Sequence, residues 1–135
     1  MAHVPVELVR STGLTSRAPY AYAAVVHDVS RLVFTAGACP LDQNGATVAG
    51  DDVVGQAEQV MINLHTALQA AGADLPDVVK TTTYVASQRR EDLLAAWAVV
   101  RRHFGDHDAP GTLLGVTILG YPDQLVEVEA VAALR

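Results

Sequence analysis

Leu125-Val126-Glu127-Val128-Glu129-Ala130-Val131-Ala132 alternates with period two. Such alternation marks a strand whose two faces meet different surroundings. Val126, Val128, Ala130 and Ala132 share one face, and Leu125, Glu127, Glu129 and Val131 share the other. Carboxylates set between β-branched residues are costly inside a sheet unless water, a partner or a ligand meets them. Upstream, Ala109-Pro110-Gly111-Thr112 leads into a second apolar run, Leu113 to Leu119. The two runs read as neighbouring strands that frame a polar site.

Working back from that pair, Asp51 to Ala71 is the clearest helix. Val53, Ala57, Val60, Met61, Leu64, Leu68 and Ala71 recur at helical spacing, and Gly72 stands where a left-handed residue ends a helix. A second helix runs from about Arg90 to Phe104, with Leu93, Trp97, Val100 and Phe104 as its stripe and Gly105 as its stop. Between the helices, Val78 to Ala86 reads as a strand with Lys80 and Tyr84 on the face of Val78. Earlier come Val6 to Val9, Tyr22 to His27 and Arg31 to Thr35, the last two joined by Asp28-Val29-Ser30 as a hairpin. The order predicts an α+β fold, a mixed sheet of about six strands with both helices on one face. The uncovered face still carries apolar residues, which predicts an oligomer. No linker or repeat divides residues 1–135, so they read as a single domain.

Half of the residues are apolar, which argues against disorder. The formal net charge is −6, which repels phosphate backbones over long range and argues against a nucleic-acid partner. The basic pairs Arg89-Arg90 and Arg101-Arg102 fall at helix ends, where cations near a C-terminus answer the helix dipole. The longest uncharged stretch, Ala109 to Pro122, is too short and too rich in Gly and Pro for a membrane helix. No secretory signal is visible at Met1-Ala2-His3-Val4-Pro5, and Cys39 is the one cysteine. A reducing cytoplasm is the expected compartment.

Most catalytic signatures are missing. His103 and His107 are four apart, but Gly105 interrupts the helical face a metal pair would need, so no metal site is expected. There is no Gly-x-Ser-x-Gly elbow and no phosphate-binding glycine loop. Cys39 has no His or Lys nearby in sequence to activate it, and it reads as a small buried hydrophobe. Glu127 and Glu129 remain. Two apart on a strand, they project on one side with Cα atoms roughly 6.5–7 Å apart. Either that face is solvated or salt-bridged, or one glutamate holds or deprotonates a water in a semi-enclosed cleft.

Several stretches together resemble the RidA/YjgF family, also called Rid or L-PSP. They are Pro19-Tyr20 with Ala23 to Val25; Val33-Phe34-Thr35-Ala36-Gly37 with Pro40-Leu41-Asp42; Gln56 with Val60 to Leu64 and Leu68 to Ala73; Asp77 to Val85; and Leu125 to Ala132. The resemblance implies a chorismate-mutase-like fold, assembled as a homotrimer with ligand clefts between subunits. It implies cofactor-independent hydrolysis of reactive imines and enamines, with Glu127 handling the attacking water. The expected cleft residues are Tyr20, Thr35, Ala36, Gly37, Gly111, Thr112 and Leu113.

The sequence departs from that pattern at the substrate clamp. The arginine that grips a carboxylate in the family falls on Gly111, which offers no charge-assisted contact. Ala36 and Ala38 stand where the family has polar residues, and Trp97 stands at or next to the position of an asparagine. Three readings follow. The first is an enzyme acting on an imine, enamine or related unsaturated metabolite by hydrolysis, tautomerisation or cyclisation. Its substrate lacks a carboxylate, or is held by backbone N–H groups near Thr112 and Leu113. The second is a non-catalytic trimer that binds a small molecule or regulates a partner. The third, a ribonuclease or translation inhibitor, is disfavoured by the acidic charge. If a neighbouring subunit supplies a cation, Lys80, Arg17 and Arg31 are its conceivable sources.

Overall fold

The computed structural model describes residues 6–135. The amino-terminal segment weighed above as a signal lies outside the described residues. In order come β1 (Val6–Val9), β2 (Ala23–Val26), β3 (Arg31–Phe34), α1 (Val53–Ala70), β4 (Val78–Val85), α2 (Arg90–Phe104), β5 (Gly111–Gly115) and β6 (Val126–Leu134). A 3-10 turn, Leu75–Asp77, precedes β4. Four strands form a mixed sheet in the order β3-β6-β4-β5, and β1 and β2 form a separate antiparallel ribbon.

The alternation in β6 does what its sequence requires. Val126, Val128, Ala130 and Ala132 are buried under the helices, while Glu127, Glu129 and Val131 are only half-buried on the opposite face. Helix α1 lays Ala57, Val60, Met61, Leu64 and Leu68 onto that buried side, and α2 adds Ala96, Val99 and Val100. Gly72 takes φ +85°, and the amides of Gly72 and Ala73 close onto the carbonyls of Gln69 and Leu68, a Schellman end. Gln56 is fully buried at the start of α1. Its amide donates to the carbonyls of Ala49 (3.2 Å) and Asp123 (2.8 Å), and its oxygen accepts from Leu125 N–H (2.6 Å). One side chain thus fixes where the chain enters β6.

Several sequence expectations are corrected. β5 and β6 are not neighbours, because β4 lies between them. Helix α2 returns the chain to the starting end of β4, so β5 runs parallel to β4 and β6 takes the other edge antiparallel. The run from Leu113 to Leu119 stays in the sheet only to Gly115, and Ile118 is 80% exposed. β2 and β3 form no hairpin: β2 pairs with β1, and β3 takes the edge of β6. A three-residue connector brings two strands close but does not decide their partners. A register shift between Val78 and Lys80 puts Val78 on the helix side with Thr81, Thr83 and Val85. Lys80 and Tyr84 therefore face away from Val78. Arg89 and Arg90 stand at the amino end of α2, where the dipole disfavours cations, and Arg89 pairs with Glu91 at 3.2 Å; Arg101 and Arg102 do lie in the last turn.

Candidate active site

Glu127 stands opposite Tyr84 of β4, and Glu129 stands opposite Thr82. The two carboxylates share a face yet have different partners. Tyr84 Oη donates to Glu129 Oε1 at 2.5 Å, and this hydrogen bond is the main reason the tyrosine hydroxyl is held above its ordinary pKa. Glu127 is held from the other side. Gln124, buried in the turn before β6, donates from Nε2 to Glu127 Oε1 at 3.2 Å and to the Val126 carbonyl at 3.1 Å. The Gln124 oxygen accepts from Tyr121 N–H at 3.0 Å, so its amide orientation is fixed.

Cys39 also donates from Sγ to Glu127 Oε1, at 3.4 Å. Burial, then the hydrogen bond to and the charge of Glu127, push the thiol from its ordinary 9.0 up to about 11. It is therefore a protonated donor rather than a nucleophile at neutral pH. It is not the simple core residue expected, because it is half-exposed and touches the carboxylate. Gly37 packs directly against the same side chain: a Cβ built on it would lie 2.5 Å from Glu127 Cδ and 2.8 Å from Cγ. Phe34, Thr35, Ala36, Gly37, Cys39 and Tyr121 border a depression of about 450 Å³ beside this cluster.

A second group collects at the start of β5. Tyr20, Tyr22, Lys80, Gly111 and Thr112 border another depression, in which Lys80 Nζ donates to Thr112 Oγ1 at 2.5 Å. Gly111 lies close to β4, and a Cβ there would meet Thr81 Oγ1 at 2.9 Å. Leu113 does not join this group. Strand alternation turns it toward the helices, where it packs on the core. Behind Tyr20 and Gly111, a small cavity is walled by Trp97, Phe104 and His107.

Within one chain the two groups do not meet. Glu127 is opposite Tyr84 and Gly111 is opposite Thr81, two strands across and three residues along, roughly 14 Å. His103 lies 3.0 Å from Glu58, while His107 lies 2.7 Å from the Val78 carbonyl, so the two histidines serve different contacts. Among the described residues no three His, Cys, Asp or Glu side chains are grouped as metal ligands, and no helix is long and apolar enough to cross a membrane. Sequence reading missed Gln124 and the contact between Cys39 and Glu127. Gln124 is one polar residue in a polar turn, and only the fold brings Cys39 to β6.

The family described as Endoribonuclease L-PSP matches residues 12–134. The chain belongs to this family. A RutC family protein of Synechocystis sp. is 38% identical over 104 residues, 76% of this chain and 78% of that protein. A 2-iminobutanoate/2-iminopropanoate deaminase of Salmonella typhimurium is 33% identical over 125 residues, 90% of this chain and 95% of that protein. Among solved structures, a protein of the conserved Rid family from Yersinia pestis, described as of unknown function, superposes with a TM-score of 0.86 at 30% identity, covering 96% of this chain and 98% of that one. The YjgF gene product of Escherichia coli gives 0.67 at 29% identity, covering 89% of this chain and 91% of that one. The expected RidA/YjgF family and its α+β fold of two helices on a mixed sheet are thereby established.

Proposed function

We propose that the protein acts on a reactive imine, enamine or related small unsaturated molecule, in a cleft between subunits of a homotrimer, with Glu127 as acid/base. The observation that carries this reading is the state of Glu127. Gln124 and Cys39 hold its Oε1, and glycine backbone rather than a side chain abuts the rest of the carboxylate. A carboxylate so held by Oε1 keeps its other oxygen for a water. In the hydrolytic case the water attacks the imine carbon while Glu127 takes one of its protons and passes it to nitrogen, giving a carbinolamine. Glu127 then takes the carbinolamine hydroxyl proton and delivers it to nitrogen as the C–N bond breaks, leaving a carbonyl compound and ammonia or an amine. These steps require no metal or organic cofactor.

The similarity to a 2-iminobutanoate/2-iminopropanoate deaminase supports the reaction class. The trimer is supported by the sheet face opposite the helices, where Leu32, Phe34 and Leu114 are 56%, 71% and 43% exposed. Closing that face against neighbours would bring the Tyr20 and Gly111 group of one subunit toward Glu127 of another. Gly111 supplies no charge, and Ala36 and Ala38 line the cleft without polar groups, so the site favours substrates less polar than an amino-acid imine. The single cysteine fits a reducing compartment.

The test is the decay of 2-iminopropionate and of uncharged cyclic imines, followed spectroscopically with the wild type and Glu127→Ala. The expected result is faster decay with the wild type alone, and faster for the uncharged imines. Equal rates with both proteins would refute the role of Glu127. Gly111 also favours a second reading, a trimer that binds such a molecule without turning it over. A thermal shift from a ligand that is never consumed would establish it.

A further inference from the structure

Thr81 carries a hydroxyl that the fold buries and leaves unused. It lies on the helix side of β4 beside Thr83 and Val85, and only 7% of the residue is exposed. Its Oγ1 makes no hydrogen bond to another described residue. Among the described residues no fully enclosed side-chain oxygen lacks a partner, so Thr81 Oγ1 must open onto unfilled space. That space is the cavity behind Gly111.

The cavity measures about 30 Å³, room for roughly two waters. Its walls are fixed. The Arg101 guanidinium carbon stands 5.8 Å from the centre of the Trp97 ring, and Arg101 Nε donates to the Pro19 carbonyl at 3.0 Å. His107 Nε2 donates to the Val78 carbonyl at 2.7 Å. Gly111 leaves the hydroxyl uncovered: a Cβ there would lie 2.9 Å from Thr81 Oγ1. Tyr20 and Gly111 border both this cavity and the wider depression at the start of β5, so the two spaces adjoin.

We infer that Thr81 sets specificity within the cleft, its hydroxyl receiving a short neutral arm of the ligand that ends in a hydroxyl and enters past Gly111. An arm of roughly two non-hydrogen atoms fills the cavity, and its hydroxyl replaces water against Thr81. An ionised arm would lose its hydration against Trp97, Val100 and Phe104, while the charges of Arg101 and Asp108 are spent on each other at 3.3 Å. The inference rests on the reading of the cleft as the seat of an uncharged imine, and it names a substituent which that imine carries.

The probes are two uncharged lactams that copy a cyclic imine and are not turned over, 5-(hydroxymethyl)-2-pyrrolidinone and 5-ethyl-2-pyrrolidinone. Trp97 is the one tryptophan of the chain, so its indole N–H signal in NMR reports occupancy of the cavity as each lactam is titrated into the full-length protein. The hydroxymethyl lactam should bind about five- to tenfold more tightly than the ethyl lactam. Thr81→Val, which keeps the shape and removes the hydroxyl, should make the two equal, and Thr81→Ser should keep the preference. Glu127→Gln should also keep the preference while abolishing imine turnover, so failure of the chemistry and failure of this subsite are read separately. Equal affinities in the wild type, a preference that survives in Thr81→Val, or a Trp97 signal that neither lactam moves would overturn the inference.

Discussion

Gly37 and Glu127 are in such close contact that no other residue fits at position 37 while the carboxylate stays in place. A Cβ would lie 2.5 Å from Glu127 Cδ and 2.8 Å from Cγ. The group that must yield is the far end of a flexible side chain rather than backbone. Gly37→Ala should therefore fold with its stability changed by less than about 1.5 kcal/mol. Its imine turnover should fall as far as that of Glu127→Ala. Thermal denaturation together with the imine assay checks both halves, and a stable variant with wild-type turnover would remove Glu127 from the mechanism.

The thiol of Cys39 reports on the same carboxylate. Its pKa is raised from 9.0 to about 11, so the native state holds this proton more tightly than the unfolded chain does. The sign follows from linkage: where the native state binds more protons, stability falls as pH rises. The Cys39 contribution is intact below about pH 9 and is lost between about 9 and about 11. Alkylation by iodoacetamide should be slow at pH 8 and rise steeply above pH 10. Glu127→Gln, which removes the charge, should move that rise to lower pH. An unchanged profile in the variant would separate the two groups.

Much of this architecture was legible in the chain, and the boundary of legibility has physical causes. The two helices and the faces of β6 follow from spacing alone, because periodic burial is written into Val60, Leu64 and Leu68 and into Val126 and Val128. Strand partners are not written locally, so β4 between β5 and β6 went unseen, as did the pairing of β3 with β6. The shift between Val78 and Lys80 carries no glycine or proline to announce it, yet it turns Lys80 to the opposite face. At the candidate site, alternation set Glu127 on a half-exposed face. Its holders, Gln124 and Cys39, lie in a turn and in a segment far away in sequence, and only folding brings them together.

Gln56 ties three backbone groups at the entry to β6, and it does so with no exposure to water. Gln56→Met keeps the length of the side chain but leaves the carbonyls of Ala49 and Asp123 and the amide of Leu125 without their partner. The expected loss is about 2–4 kcal/mol of unfolding free energy, measured by urea denaturation. Because Leu125 precedes Glu127 by two residues, the remaining folded protein should also show reduced turnover. A loss well under about 1 kcal/mol would mean that water replaces the amide at no cost.

Phe34 and Leu32 test the assembly. Both lie on the sheet face opposite the helices, beside Val131 and Ala133 of β6, and Phe34 is 71% exposed. Burying such a side chain against a neighbouring subunit contributes about 1.5–3 kcal/mol, whereas an aspartate there would have to be buried without a partner. Phe34→Asp should therefore convert a trimer to a monomer, read by light scattering after size exclusion, with the circular dichroism of the fold retained. Leu94→Asp is the control: Leu94 is 58% exposed, but it lies on α2, away from that face. If neither substitution changes the mass, the apolar sheet face is not the interface. If Phe34→Asp gives a folded monomer that still turns over imines, the cleft is complete within one chain, against the roughly 14 Å that separates Glu127 from Gly111.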